Sequence, residues 1–436
     1  MQKIFSSLLV VLALSASLVA KAQQKISLKE AVQIALQNSY DIKLVENTVA
    51  VSKNNNDYGV AGALPTVNAT GSENKTSSTL QQKFADPTRN TIKSGVDGTT
   101  IAGGVSASVV LFNGYRVQST KSRLAALENQ SNTLLKAQIQ NTVATVMQQY
   151  YNIIRQQAYL ATIQKSIDAS QQRLDIVKAK QNIGVANEAD VLQSTLDLNT
   201  LAQARENQLL IIEQGKVDLL NSLVLPTTTK IIVLDSMVVD KTLAIKDIES
   251  KSLSNPNVES LAQQVKINQL IEKETRALMY PTLRATAGYN YNSSASAAGF
   301  SLLNETYGPS AAVSLSLPIY MGGASKKAYK NARINTNSAD LQYQSALADM
   351  SSNVAKTFQS YQTSVQQLTT EEANYKMSQS LLNLILQKFQ LGQATIVDVK
   401  QAQQSFESAG FRLVSLIYTA KVAEVELKRL SNQLAF

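Results

Sequence analysis

The chain has no cysteine, no histidine and no tryptophan, and only seven prolines in 436 residues. Without cysteine there are no disulfides, no thiol nucleophile and no N-terminal cysteine to carry a lipid. Without histidine, imidazole acid–base chemistry and the usual zinc ligands are gone. Carboxylates remain, but they form no local cluster, and no glycine-rich loop is placed to cradle phosphate. These absences speak against an enzyme, and no cofactor or metal is expected. Aromatics make up 6% of residues against 44% hydrophobic, so the core must be mostly aliphatic and rich in alanine. The formal charge is +9, but Lys and Arg are scattered, which indicates no nucleic-acid partner.

What is present begins with an address. Lys3, the apolar run from Ile4 to Val19 and Ala20-Lys21-Ala22 together read as a secretory signal peptide over 1–22. No later stretch is long and apolar enough to span a membrane as a helix. Any membrane insertion by the exported chain must therefore use strands.

The prolines are unevenly spread: none lies between Pro87 and Pro226, and none after Pro318. Two long unbroken runs follow, opened by Phe112-Asn113-Gly114 and by Tyr320-Met321-Gly322. Each has one clear interruption, at Gly184 and at Gly392. Gly114 stands as far from Gly322 as Gly184 does from Gly392, and Tyr150/Phe358, Asp190/Asp398 and Val191/Val399 keep the same interval. A constant offset over such a length is an internal repeat. The expected division is 23–225 and 244–436, joined by a linker at 226–243 in which Ile231-Ile232-Val233-Leu234 reads as a short strand.

Within the first copy the pattern predicts helices at 27–63, 115–183 and 187–223, with strands at 65–74 and 99–112. In the second it predicts helices at 244–279, 322–391 and 395–433, with strands at 281–292 and 307–319. Ser27 with Glu30 is a capping box, and a pause is expected at Asn38-Ser39. Asn255-Pro256 suits a first helical turn. Ile139, Val143, Val146, Tyr150 and Ile153 follow a heptad, as do Leu347, Met350, Val354, Tyr361, Val365 and Leu368, so the helices should pack along their length. In the strands Leu283, Ala285, Ala287, Tyr289 and Tyr291 share one face, and Thr282, Arg284, Thr286 and Asn290 the other. Val105, Ala107, Val109 and Leu111 alternate with Ser106 and Ser108, and Ala311, Val313, Leu315 and Leu317 with Ser314 and Ser316. Polar loops are expected at 74–98 and 292–306. Tyr289, Tyr291, Phe300, Tyr307, Phe112, Tyr115 and Tyr320 lie near strand ends, where a membrane girdle would lie. The same pattern also fits a soluble hairpin layer packed on helices.

In this order the chain resembles the TolC-like outer-membrane efflux channels. The resemblance rests on the duplicated order, on Leu64-Pro65, Tyr280-Pro281 and Leu111-Phe112-Asn113-Gly114, and above all on Leu391-Gly392-Gln393-Ala394-Thr395-Ile396-Val397-Asp398-Val399. It implies a mainly α chain with a membrane β-barrel portion. Long coiled-coil-like helices form a periplasmic α-barrel, four strands per subunit enter a trimeric twelve-stranded β-barrel, and a small mixed equatorial region lies between. It implies a homotrimer in outer-membrane lipid, docked on a periplasmic adaptor and an inner-membrane transporter, as a passive exit duct for efflux or type I secretion. The competing reading is an exported trimeric coiled-coil protein with a structural or adhesive role.

The resemblance also marks sites. Asp398 matches a family aspartate that faces the tunnel at its narrow entrance, where three copies would form a cation-favouring ring. Gln401 stands where a second acidic ring would be, and Asp190 forms a wider ring or only caps its helix. Thr395 and Asn187, three residues before the two aspartates, are good N-caps, which explains both carboxylates without a pore. Ala394 has no side chain for a closing tie, and Phe389 stands where the family can have a tyrosine. Ile183, Gly184 and Val185, with Leu391, Gly392 and Gln393, match the apolar-Gly tips expected to dock the adaptor.

Overall fold

The computed structural model describes residues 24–298 and 301–434. The expected signal peptide and Phe300 lie outside these residues. The elements are β1 (Gln24–Ile26), α1 (Leu28–Asn38), α2 (Tyr40–Asn55), β2 (Thr66–Gln82), β3 (Thr91–Phe112), α3 (Arg116–Asn182), α4 (Glu188–Ser222), β4 (Ile231–Val233), α5 (Ile245–Ser252), α6 (Pro256–Ala277), β5 (Thr282–Ser296), β6 (Leu303–Ser316), α7 (Ala324–Gln390) and α8 (Ile396–Leu430). Helices α3 and α7 both have 67 residues, and α4 and α8 both have 35. A 67-residue helix is about 100 Å long. Among the described residues no helix is long and apolar enough to cross a membrane.

The helices before the strands are shorter than the pattern predicts. The first breaks at Ser39, then ends at Asn55 rather than near 63. The run Asn54-Asn55-Asn56-Asp57 ends it, because short amide and carboxylate side chains compete for the backbone. Asp57 Oδ1 accepts the Gly59 N–H at 2.6 Å and turns the chain. In the second copy 244–279 is two helices, parted before Pro256, which has no N–H to continue the first.

The chain divides by contact density into two units. One comprises Thr48–Asn132 and Ser260–Gln344. It holds a four-stranded antiparallel sheet in the order β2-β3-β5-β6. The strands run 17, 22, 15 and 14 residues, all longer than alternation indicates, and most of the expected loop at 292–306 is paired strand, with Asn292 opposite Thr306 and Ala295 opposite Leu303. The stretch 74–98 is not a loop: Asn74 pairs with Thr100 and Ser78 with Val96. Backbone pairing is indifferent to side-chain polarity, and a ribbon wet on both faces shows no alternation to read. The true turn is a short one at Pro87–Arg89, where Asp86 Oδ1 accepts the Thr88 N–H at 3.0 Å. At its other end β6 stops at Ser316, short of the expected 319, since Pro318 cannot donate to a ladder.

Register aligns the strands by parity. Thr66 faces Ser108, Ser108 faces Thr286 and Thr286 faces Ala312, while Val67, Ala107, Ala287 and Ala311 form the next row. Facing residues share a side of the sheet. The odd side therefore carries Val67, Val105, Val109, Leu283, Val313 and Leu315, with Tyr289, Tyr291 and Tyr307 at one end. The even side carries Ser, Thr and Asn. Gly114, at φ +67°, closes the turn into α3. A Cβ there would meet Tyr280 Cβ at 2.6 Å and the Ala277 carbonyl at 3.0 Å, so the Asn113-Gly114 and Tyr280-Pro281 turns need each other. In the same unit Arg123 Nε bonds Glu274 Oε1 at 2.7 Å, and Ser52 and Ser131 share a hydrogen bond of 2.7 Å.

The other unit comprises residues up to 47, 133–259 and from 345 on. Val143, Val146, Tyr150 and Ile153 of the heptad are buried with Ile26, Leu219, Leu220, Ile231, Val233 and Val425. Full burial of one such aliphatic side chain contributes about 1.5–3 kcal/mol. Strand β4 pairs in parallel with β1, a partner that three residues of sequence do not announce. Tyr150 marks this mixed region: its hydroxyl lies 2.6 Å from Asp235 Oδ2 and 3.0 Å from the Ile26 carbonyl oxygen. Val354, Tyr361, Leu427 and Leu430 form a second cluster with Ile248.

Candidate functional site

Both long helices end alike. Gly184 and Gly392 take φ of +76° and +78°, open to glycine without cost. Gly184 N–H donates to the Gln181 carbonyl at 2.9 Å and Val185 N–H to Lys180 at 2.8 Å. Gly392 N–H donates to Phe389 at 3.1 Å and Gln393 N–H to Lys388 at 2.8 Å. These are paired Schellman closures, in which glycine at the left-handed position satisfies the last helical carbonyls. The closure leaves Ile183, Val185 and Leu391 pointing into solvent, 75%, 71% and 73% exposed. Gln393 is exposed beside them.

The return helices also open alike. Thr395 Oγ1 accepts the Asp398 N–H at 3.2 Å, and Asp398 Oδ2 accepts the Thr395 N–H at 2.8 Å. Asn187 and Asp190 repeat the box: Asp190 N–H donates to Asn187 Oδ1 at 2.9 Å and Asn187 N–H to Asp190 Oδ2 at 3.3 Å. The backbone and then the side-chain hydrogen bond from Thr395 hold the Asp398 carboxyl below the usual carboxylate range. Asp398 is exposed, and so is Gln401 one turn on; Asp190 is half-buried. Capping thus accounts for the position of both aspartates, and it leaves one oxygen of each free of the cap.

Beneath the tips lies a core of Val177, Leu382, Leu386, Phe389, Val399 and Phe406. Phe389 packs there as a buried ring. Lys180 Nζ donates to the Phe389 carbonyl oxygen at 2.5 Å and stands 4.1 Å from the centre of its ring. Ala394 makes no tie; Lys180 joins the tips instead.

One group of residues was not legible as a site. Arg173 is fully buried and bonds Asp197 Oδ2 at 2.8 Å, while Lys400 Nζ donates to Asp197 Oδ1 at 3.1 Å. Gln403 Nε2 donates to the Ser166 carbonyl oxygen at 3.3 Å alongside. Burial disfavours the Asp197 carboxylate, but hydrogen bonds from Lys400 and Gln193 and the charge of Arg173 hold its carboxyl below the usual range. The available signal was Ser166, Ser170 and Arg173, three polar residues at heptad spacing on the buried seam of α3. Among the described residues no group of carboxylates could hold a metal ion.

Paired tips, paired caps and a two-faced sheet on one duplicated chain invite comparison with known proteins. The sequence profile described as outer membrane efflux protein matches twice, over residues 31–216 and 248–433. The chain belongs to the outer membrane efflux protein family. Among curated relatives, outer membrane protein TolC of Escherichia coli (strain K12) is 24% identical over 295 residues, 64% of this chain. That match spans 59% of TolC's length. In fold, a membrane protein from Pseudomonas aeruginosa superposes with a TM-score of 0.76 at 17% identity, covering 93% of each chain. The CmeC outer membrane channel of Campylobacter jejuni gives 0.73 at 15% identity, covering 94% of this chain and 87% of its own. Family membership places this chain in the outer membrane, extending into the periplasm.

Proposed function

We propose that three copies of this chain close into one outer-membrane pore, the passive exit duct of a tripartite efflux or type I secretion system. The single observation that carries this is the sheet. It has one apolar side, one polar side, and two free edges, β2 and β6. An open sheet of this kind invites edge pairing, and closure in a membrane satisfies both the edges and the apolar side. Odd-numbered residues then face lipid and even-numbered residues face water. The tyrosines at one end of the odd side suit the lipid–water interface.

The tips are the docking surface for a periplasmic adaptor that couples the duct to an inner-membrane transporter. Ile183, Gly184 and Val185 with Leu391, Gly392 and Gln393 offer rigid, glycine-turned apolar knobs. Asp398, with its uncapped oxygen, lines the entrance as one acidic ring; Gln401 weakens any second, and Asp190 forms a wider one. Purification after detergent extraction should give a trimer that inserts in planar bilayers as an aqueous channel. Recovery of the chain as a stable soluble monomer or a fibrous coiled coil overturns the reading. Photo-cross-linkers at Val185 and Gln393 should capture an adaptor; capture of only extracellular material would invert the topology.

A further inference from the structure

The even side of the sheet is nearly free of charge. Over 66–78, 96–110, 282–296 and 304–316 its residues are Thr, Ser, Asn, Gly, Ala and Val, with one exception. The exception is Arg284. It lies near the start of β5, faces Val110 on one neighbour and Ser314 on the other, and is exposed. Its Nη1 donates to Ser108 Oγ at 3.3 Å, a neutral partner. No carboxylate shares that side within these spans. The charges of the odd side, Glu73, Lys75, Asp97 and Glu305, all stand at the opposite end of the strands. Three of them are occupied locally: Lys75 with Glu73 at 3.1 Å, and Glu305 Oε1 accepting the Tyr291 hydroxyl at 3.1 Å.

We propose that Arg284 sets the ion preference of the strand-built part of the pore. This rests on the reading that three copies close around a lumen faced by even-numbered side chains. Three guanidinium groups then ring the water path with no compensating anion on the wall. They favour small anions, and solutes bearing carboxylate or phosphate, over cations. Their field reaches the permeating ion because the wall is otherwise neutral and screening at 0.1 M salt extends over about 10 Å. A merely structural arginine, bracing β5 against β3 through Ser108, would need the hydrogen bond but not the charge.

The test uses the full-length protein purified in detergent and reconstituted in planar bilayers. Reversal potentials are read across a potassium chloride gradient for the native chain, Arg284→Lys, Arg284→Gln and Arg284→Glu. Arg284→Gln should lower the chloride-to-potassium permeability ratio about threefold, Arg284→Glu should lower it further, and Arg284→Lys should retain it. The differences should shrink at 1 M salt, where screening acts within about 3 Å. Asp398 is common to all four proteins, so the entrance cancels in the comparison. Channels whose reversal potentials are the same in the native, Gln and Glu forms overturn the assignment while leaving the pore intact. Failure of the native chain to conduct at all overturns the assembly reading itself.

Discussion

Lys180 Nζ donates to the carbonyl oxygen of Phe389 and lies over the face of its ring, tying the end of α3 to the end of α7. That carbonyl also accepts the Gly392 N–H, so one lysine braces the closure of the other repeat's tip. Lys180→Met keeps the aliphatic stem and removes the ammonium. It should cost about 1 kcal/mol locally. Hydrogen exchange at Gly392 and Gln393 should accelerate several-fold, with the exchange of α8 beyond Phe406 unchanged. Equal protection in both proteins would show the tie to be idle.

Asp398 is asked to do two jobs, and pH separates them. Its carboxyl is held below the ordinary range by Thr395, so the cap's contribution is complete above the unfolded value, near 3.9. It is lost as pH falls through the lower folded value. The melting temperature of the native protein should therefore drop more between pH 5 and pH 2 than that of Asp398→Asn. In bilayers the same variant should lose block by multivalent cations from the periplasmic side and keep normal insertion. A lowered melting temperature with unchanged cation block would leave Asp398 as a cap alone.

Asp197 is the counter-ion of a buried guanidinium. Asp197→Ala strands Arg173 with no anion and should destabilise the helical unit by about 3 kcal/mol. The double change Arg173→Met with Asp197→Leu removes both charges and should restore most of that loss. Thermal unfolding in detergent reads both. A double variant as unstable as the single one would mean that shape, not charge, matters at this seam.

The parity of the sheet makes paired predictions on adjacent residues. Ala311→Arg, on the odd side in mid-strand, should hinder insertion, since a lipid-facing cation near the midplane costs about 2–4 kcal/mol. Ala312→Arg, one residue on, should assemble with native yield because the proposed closure turns it to the lumen. Outer-membrane fractionation measures both. Equal yields would refute the assignment of faces.

The repeat, the long helices, the glycine tips and the caps were legible because each depends on a local or periodic signal. Pro87 and Pro226 bound one run, Gly184 interrupts it, and Asn187 with Asp190 restarts it. The ribbon around Ser78 and Val96 was not legible, because its sequence is mostly polar at odd and even positions alike and carries no alternation. The β1–β4 pairing was equally hidden, since two three-residue strands more than two hundred positions apart have only tertiary packing to join them. Lys180 and Arg173 are two among many scattered basic residues. Only the return helix and the second repeat give them partners.

The parity rule has a genetic counterpart. Of the sheet's two register shifts, the one between Ser78 and Leu80 falls outside the apolar band, and the one between Val110 and Phe112 falls at its edge, where Phe112 pairs with Leu283. Between the two shifts, every residue's side is fixed by whether its number is odd or even. A one-codon insertion or deletion between Leu283 and Tyr291 would exchange apolar-side and polar-side residues along the rest of that strand. A two-codon change would preserve the faces and only shift the strand's length. Tolerated length variation in these four segments should therefore come in steps of two residues, whereas the turn at Pro87–Arg89 is free to vary by one.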